Sequence, residues 1–365
     1  MIKHNPNNER IKRQYFIYLR NARQQSVQAV DGAASALARF ENQTKHRDFK
    51  LFRSELAIAF KKHLAEQVSQ KSGEKLSKAT MYATLMSLKS FFQWLSRETG
   101  YKSRIHYSDA EFFNMSAKDA QVATTRREKA APTLEQVKRV INMMPADTAI
   151  ERRNRALIAF TLLTGARDGA IASMKVKHVD LVGNSVYQDA REVDTKFSKT
   201  FTTFFFPVGD EVQQIVADWI AFLRGELFWG NDDPLFPATH MELSAERQFE
   251  AVGLERKHWS TASPIRTIFR DAFVSAGLPY FNPHSFRDTL AQHGQIACPN
   301  IEAYKAWSQN LGHDGVLTTL VSYGQVATNR QGEIMQEMAR PRDTVQPNVS
   351  ELAKAIAHEL RAASL

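Results

Sequence analysis

Apolar residues along this chain recur at helical spacing, then briefly at strand spacing, then at helical spacing again. In residues 25–115, Ala33, Leu37 and Phe40 fall on one helical stripe, and Leu56, Ile58, Phe60 and Leu64 do so more loosely. The clearest stretch is SKATMYATLMSLKSFFQWLSRETG. Ser77 caps it, Tyr82, Leu85, Leu88, Phe92 and Leu95 line one face at three- and four-residue steps, and Gly100 stops it. This part predicts a small bundle of about four helices. Residues 1–24 are polar and basic around Tyr15-Phe16-Ile17-Tyr18 and read as an arm or an extra helix. Residues 116–132 have little hydrophobic pattern, carry Arg126, Arg127 and Lys129, and end at Pro132, as a linker does.

A second domain is expected from Thr133, which starts a helix with Glu135 and Gln136 nearby. RNRALIAFTLLTG follows as a strongly apolar helix ending at Gly165. VKHVDLVGNSVYQDA alternates around a turn at Gly183, and Thr200 to Phe206 is all β-branched or aromatic before Pro207. These predict three short strands. Helices return in EVQQIVADWIAFLRG and SPIRTIFRDAFVSAG, with residues 225–262 between them polar and mostly loop. The pattern therefore implies a mainly α fold with a small antiparallel β-sheet: a helical N-terminal domain, then a mixed α+β domain over 133–345 and a tail at 346–365.

Composition sharpens this picture. The chain has 365 residues, 43% hydrophobic, enough for two domains of ordinary size. A single cysteine, Cys298, excludes a disulfide framework and a cysteine-rich zinc site and fits a reducing cytoplasm. No apolar run reaches the roughly 18–20 residues that span a bilayer. MIKHNPNNERIKRQ lacks an apolar signal core, so secretion is not expected. Net charge is +9, and residues 1–130 hold 24 Lys+Arg against 12 Asp+Glu, so the excess lies in the first third. A basic helical module ahead of a near-neutral one suits a polyanion. Lys78 and Lys89 sit among the polar positions of the clearest helix, where they can face a phosphate backbone, as can Arg126, Arg127 and Lys129 in the linker.

The candidate chemistry concentrates between His284 and Gly324, which offers His284, Arg287, His313 and Tyr323. Two imidazoles, a guanidinium and a phenol suit work on a phosphate. Asn282-Pro283-His284 is a helix start, with Asn282 as cap and Pro283 at the first helical position. His284 and Arg287 are three positions apart, so both belong to the first turn, beside free N–H groups and the positive end of the helix dipole. Gly312 ends a helix and leaves His313 at a turn. Tyr323 is ten positions after His313, roughly 15 Å along a straight helix, so the chain must bend back for them to share a phosphate. Arg167 follows the buried helix, and Lys199 sits in the turn before the third strand, with Lys196 beside it. Taken singly, each has a plain structural alternative: a surface salt bridge, a loop imidazole, a core tyrosine, a helix-capping arginine, a solvated lysine.

Taken together, the set resembles the tyrosine recombinases, the phage integrase family. Thr164-Gly165-Ala166-Arg167 is similar to its first arginine box, His284-Ser285-Phe286-Arg287 to its His-x-x-Arg box and Leu311-Gly312-His313 to its Leu-Gly-His box. Tyr323 stands at the nucleophile's place and Lys199, or else Lys196, at that of the hairpin lysine. The order along the chain matches, over about residues 25–345. Ala170 stands where many members carry an acidic residue, and Asp288 where a basic residue or histidine is frequent.

The resemblance implies a helical core-binding domain and a recombinase catalytic domain that cut and rejoin double-stranded DNA without metal or other cofactor. It implies Tyr323 as nucleophile, Arg167, Arg287 and His313 on the phosphate, Lys199 as acid and His284 as proton carrier. It further implies a tetramer on two DNA sites, formed from a monomer or weak oligomer, working in the bacterial cytoplasm at the nucleoid. A type IB topoisomerase or a catalytically impaired DNA-binding protein are the alternatives. The segment SELAKAIAHELRAA, with Leu352, Ile356 and Leu360 on one stripe, is expected to dock on a neighbouring protomer or on its own.

Overall fold

The computed structural model describes residues 4–69, 73–125, 130–244 and 247–313. The chain divides into two compact units, Met1–Arg127 and Glu128–Leu365. The fold is mainly helical with small antiparallel sheets, as the periodicity predicts.

The first unit contains α1 (Pro6–Ile17), α2 (Val27–Gln43), α3 (Ser54–Glu66), α4 (Lys78–Leu95) and α5 (Ala117–Thr124). Ser26, Ser77 and Ser116 each accept an N–H of the first turn of the helix they precede, satisfying a donor the helix leaves open. The core is aromatic: Phe40, Phe49, Phe52, Phe60, Phe91, Phe92 and Phe113 are buried together. Phe92 stacks 3.7 Å from Phe52; its replacement by alanine would cost about 3–5 kcal/mol. The N-terminal segment is an integral helix here. α1 buries Ile11 and Tyr15, and buried Asn8 donates to Glu41 Oε1 at 3.1 Å and accepts from Phe49 N at 3.0 Å. The stretch read as a linker opens with α5, which buries no residue of its own. Its Asp119 meets Lys78 at 2.9 Å.

The second unit contains α6 (Leu134–Met143), α7 (Ala149–Thr164), α8 (Asp168–Ser173), β1 (Val179–Asp180), β2 (Ser185–Gln188), β3 (Phe201–Phe204) and α9 (Asp210–Gly225). It continues with β4 (Ala238–Leu243), β5 (Phe249–Glu255), α10 (Ser263–Ser275), α11 (Ser285–Ala297) and α12 (Ile301–Asn310). Thr133 and Thr148 open α6 and α7 with capping boxes, closed by Gln136 and Glu151. α7 is the axis of the unit: every residue from Ala156 to Thr164 is buried, so the helix is covered on all sides. The sheet order is β1-β2-β3, antiparallel, with Val186 opposite Thr203. A further hairpin, β4–β5, lies where the sequence suggested mostly loop. Arg153 of α7, buried, holds its base by donating to Pro237 O and Thr239 Oγ1, both at 2.9 Å.

Candidate active site

α7 ends on Gly165, at φ 59° and ψ 20°. This left-handed step suits glycine, and space demands it too. A Cβ there would lie 3.0 Å from both Leu290 and Leu311 side chains. The chain reverses, and Arg167, partly buried, precedes α8. α8 is held at both ends. Arg266 of α10 donates to Asp168 Oδ2 at 2.8 Å, and His258 Nδ1 donates to Ala172 O at 3.1 Å. Burial pushes the His258 pKa down, which keeps its ring neutral. Ala170 is buried against the core. Asp168, the nearest carboxylate to Arg167 in sequence, thus has Arg266 as a partner.

Arg287 is the centre of the arrangement and is 3% exposed. Its Nη1 donates to Gly165 O at 2.6 Å, its Nη2 donates to Leu311 O, and the same Nη2 lies 2.9 Å from His313 Nε2. One guanidinium thus joins the C-terminal ends of α7 and α12, where helix carbonyls carry partial negative charge. Arginine has donors only, so His313 Nε2 accepts and the proton of the neutral ring sits on Nδ1. Arg287 Nε is buried with no hydrogen-bond partner among the described residues. A buried guanidinium N–H without a partner costs about 1–3 kcal/mol, which an anion would recover.

The first turn of α11 is tight. Asn282 Oδ1 accepts Ser285 N at 3.2 Å, and Arg287 N donates to His284 O at 3.1 Å. The helix proper starts at Ser285, with His284 rather than Asn282 at the cap position and Pro283 ahead of it; Asn282 instead closes the turn that leads into the helix. His284 is exposed at this turn, while Arg287 points into the core. Thr289 fixes α11 to the start of the unit through Pro132 O at 2.6 Å.

α12 ends with Asn310-Leu311-Gly312, and Gly312 has φ 73°. A Cβ at Gly312 would come within 2.9 Å of the Phe201 ring, so the turn carrying His313 lies directly on β3. Asn310 completes this contact. Its Oδ1 accepts Phe204 N at 2.7 Å and its Nδ2 donates to Phe204 O at 2.8 Å, so the amide acts as a short extra strand on β3. Residue type alone does not mark Asn310 as part of the site; its place two residues before Gly312 is the only sequence signal for it.

Lys199 is partly buried, two residues before β3, and Lys196 is exposed. The loop from β2 is pinned at its root. Val193 is buried, Ala190 N donates to Thr200 Oγ1 at 3.1 Å, and Asp194 N donates to Ser173 Oγ of α8 at 2.8 Å. Hydrogen bonds from Lys177 and then His178 hold Glu192 at a pKa of about 2, and Arg191 does the same for Asp189. At the tip, Phe197 and Ser198 have φ 61° and 51°. Left-handed backbone costs a non-glycine residue roughly 1–2 kcal/mol. Arg287 and His313 thus meet directly, while Gly165, Gly312 and Asn310 bring the elements of Arg167 and Lys199 against them. Tyr323 lies outside the described residues, as do Arg126, Arg127, Lys129 and the C-terminal stripe. In the first unit Lys78 pairs with Asp119, and Lys89 with Glu111 at 2.8 Å.

Residues 133–329 match the phage integrase family. The chain belongs to that family. Within it, the chain is similar to the tyrosine recombinase XerC of Lactobacillus delbrueckii subsp. bulgaricus, 24% identical over 256 residues that cover 68% of this chain and 73% of that protein. It is also similar to XerC of Halalkalibacterium halodurans, 21% identical over 88% of this chain and 94% of that protein. Two solved structures share the fold. A lambda integrase dimer bound to a COC' core site has a TM-score of 0.56 at 12% identity, covering 93% of this chain and 98% of that one. The Tn1549 transposon integrase in complex with transposon right end DNA has a TM-score of 0.55 at 14% identity, covering 90% and 99%. This phage integrase family member has, among its described residues, no helix long and apolar enough to cross a membrane.

Proposed function

We propose that the chain is a site-specific DNA recombinase. The observation that carries this reading is Arg287: a buried guanidinium at the meeting point of two helix ends, against His313, with its Nε–H unsatisfied among the described residues. Such a group is preorganised for an anion and gains most where charge builds up in a transition state. The family's nucleophile position is Tyr323, and the relatives named recombinase and the fold of the two DNA-bound integrases support DNA as the partner.

In the proposed reaction the Tyr323 oxygen attacks the scissile phosphorus in line. The O–P bond forms as the bond to the 5′-oxygen breaks, which leaves a 3′-phosphotyrosyl ester and a 5′-hydroxyl. The phenol proton passes to His284, which is exposed and able to meet substrate; a phenol of pKa near 10 needs that help at neutral pH. Lys199 gives a proton to the departing 5′-oxygen. Arg167 holds the non-bridging oxygens as a planar fork, Arg287 adds its Nε–H, and His313 donates from Nδ1. The reverse steps, with a 5′-hydroxyl from a second duplex, rejoin the strands without ATP. Two rounds through a Holliday junction exchange both strands in a tetramer on two sites. The basic first unit grips the duplex, with Lys78 and Lys89 exchanging carboxylate for phosphate, and Arg126, Arg127 and Lys129 follow the backbone.

The test is trapping on a nicked duplex that carries the chain's own site, selected from a random-sequence library. The wild type is expected to form an SDS-stable DNA adduct and Tyr323→Phe none. Absence of an adduct from the wild type, or its persistence in the variant, rejects the proposal. Sedimentation of the complex separates it from a topoisomerase: a monomer relaxing supercoils without bridging two duplexes favours the latter.

A further inference from the structure

The most exposed aromatic ring near the site belongs to Phe197, at the tip of the β2–β3 loop. Its side chain is 78% exposed, and its backbone sits at φ 61° and ψ 23°. Ser198 N donates to Thr195 O at 3.2 Å, which closes a turn with Phe197 at a position where glycine is the usual residue. A phenylalanine there is strained and projects the ring outward. Among the described residues it is not part of the core. Lys196 Nζ lies over the ring, 4.7 Å from its centre. A ring with an ammonium on its face matches a nucleobase beside a backbone phosphate. The loop's root, meanwhile, is tied through Ser173 to α8, the helix that Arg167 introduces.

We propose that Phe197 is a wedge that inserts against a base next to the cleaved bond and unstacks it. The inference rests on the recombinase reading above. Phe197 is two residues from Lys199, at most roughly 7 Å of chain, and bases rise about 3.4 Å per step along a strand. The ring therefore reaches the first or second base from the phosphate that Lys199 serves. Strand exchange needs those bases to leave their stack, and apolar side chains forced between base steps accomplish this in DNA-bending proteins. The wedge also makes the reaction sensitive to how easily the flanking step deforms, a selectivity that requires no hydrogen bond to a base edge.

The probe is the full-length chain on the selected site, with 2-aminopurine replacing bases within two positions of the nick, whose fluorescence rises when stacking is lost. Wild type and Phe197→Leu are expected to raise it severalfold, and Phe197→Ala to leave it at the level of free DNA, with about tenfold slower adduct formation and little change in overall DNA affinity. Phe197→Gly is expected to raise the thermal midpoint, because glycine relieves the left-handed strain, and still to lose the fluorescence rise. A ring that only supported the loop would give the opposite: lower stability and an unchanged signal. If the wild type forms its adduct without a fluorescence change, or Phe197→Ala gives the full rise, the wedge is wrong while the recombinase reading stands. If no adduct forms, both fall.

Discussion

Arg287 and Lys199 belong to one proposed site yet are held in opposite ways. Arg287 is 3% exposed and fastened to two helix ends. Lys199 lies on a loop whose tip, at Phe197, is 78% exposed and turns through two left-handed residues. The first half is rigid before any substrate arrives. The second is fixed at its root and presented to solvent at its tip. A phosphate needs preorganised charge, which rewards rigidity. A leaving oxygen must be met on a duplex that arrives from outside, which rewards reach. Substitutions in the two halves should therefore differ in kind: folding and chemistry lost together in the first, chemistry mainly in the second.

The largest effect is expected from Arg287→Ala. It leaves Gly165 O and Leu311 O without their buried donor, which should cost about 2–4 kcal/mol in urea denaturation. Adduct formation should fall at least about a thousandfold. Arg287→Lys should recover part of the stability but little activity, because one ammonium cannot span two carbonyls and a phosphate. Cleavage within a few-fold of wild type in either variant would show that this guanidinium is only a structural tie.

The second effect is on the exposed half. Lys199→Ala should slow cleavage about a hundredfold, the usual contribution of a general acid, with a smaller shift of the denaturation midpoint than Arg287→Ala gives. A substrate with sulfur in place of the bridging 5′-oxygen leaves as a thiolate and needs no acid, so it should restore the rate. Lys196→Ala should cleave both substrates nearly as wild type does. If sulfur rescues Lys196→Ala and not Lys199→Ala, the two roles are exchanged.

These contrasts also explain what could be read from residue order. α4 and α6 were legible because their caps, Ser77 and Thr133, coincide with apolar stripes, and α7 because its apolar run ends on Gly165. α5 was not, because it buries nothing of its own and depends on Ser116 and on Asp119 meeting Lys78. The β4–β5 hairpin was obscured for another reason. Its outer half is exposed, with Leu243 and Phe249 in water and Glu242 directly opposite Glu250, an unfavourable like-charge pair. It is Arg153, 86 positions before Thr239, that fixes its base. At the site, side-chain types marked Arg287 and His313, but the partners of Arg287 are mostly backbone carbonyls, which residue identity does not encode.

Asn310 joins the two halves, so it tests whether they act as one site. Asn310→Ala removes both bonds to Phe204 and should lower stability by about 1 kcal/mol, since water can replace bonds at an exposed edge. Adduct formation should drop roughly tenfold, through misplacement of Lys199 relative to Arg287, and combining it with Lys199→Ala should add little further loss. Strict multiplication of the two losses would mean that Asn310 acts elsewhere.

The smallest effect is electrostatic and lies at the loop root. Lys177 and His178 hold Glu192 at about 2, well below the ordinary 4.5. A carboxylate depressed in the folded state stabilises the fold above its unfolded pKa, and that contribution is lost as pH falls from about 4.5 toward 2. Thermal midpoints of wild type and Glu192→Gln should therefore differ most at about pH 5 and above and converge as pH falls toward about 2, with the gap narrowing in high salt because the pair is solvent-screened. Adduct formation at neutral pH should barely change, since the loop keeps its other anchors at Val193 and at Asp194 with Ser173. Parallel midpoint curves would show that Glu192 adds nothing to the root. A large loss of cleavage would instead mean that the exposed half needs as much rigidity as the buried one, and the contrast between them would fail.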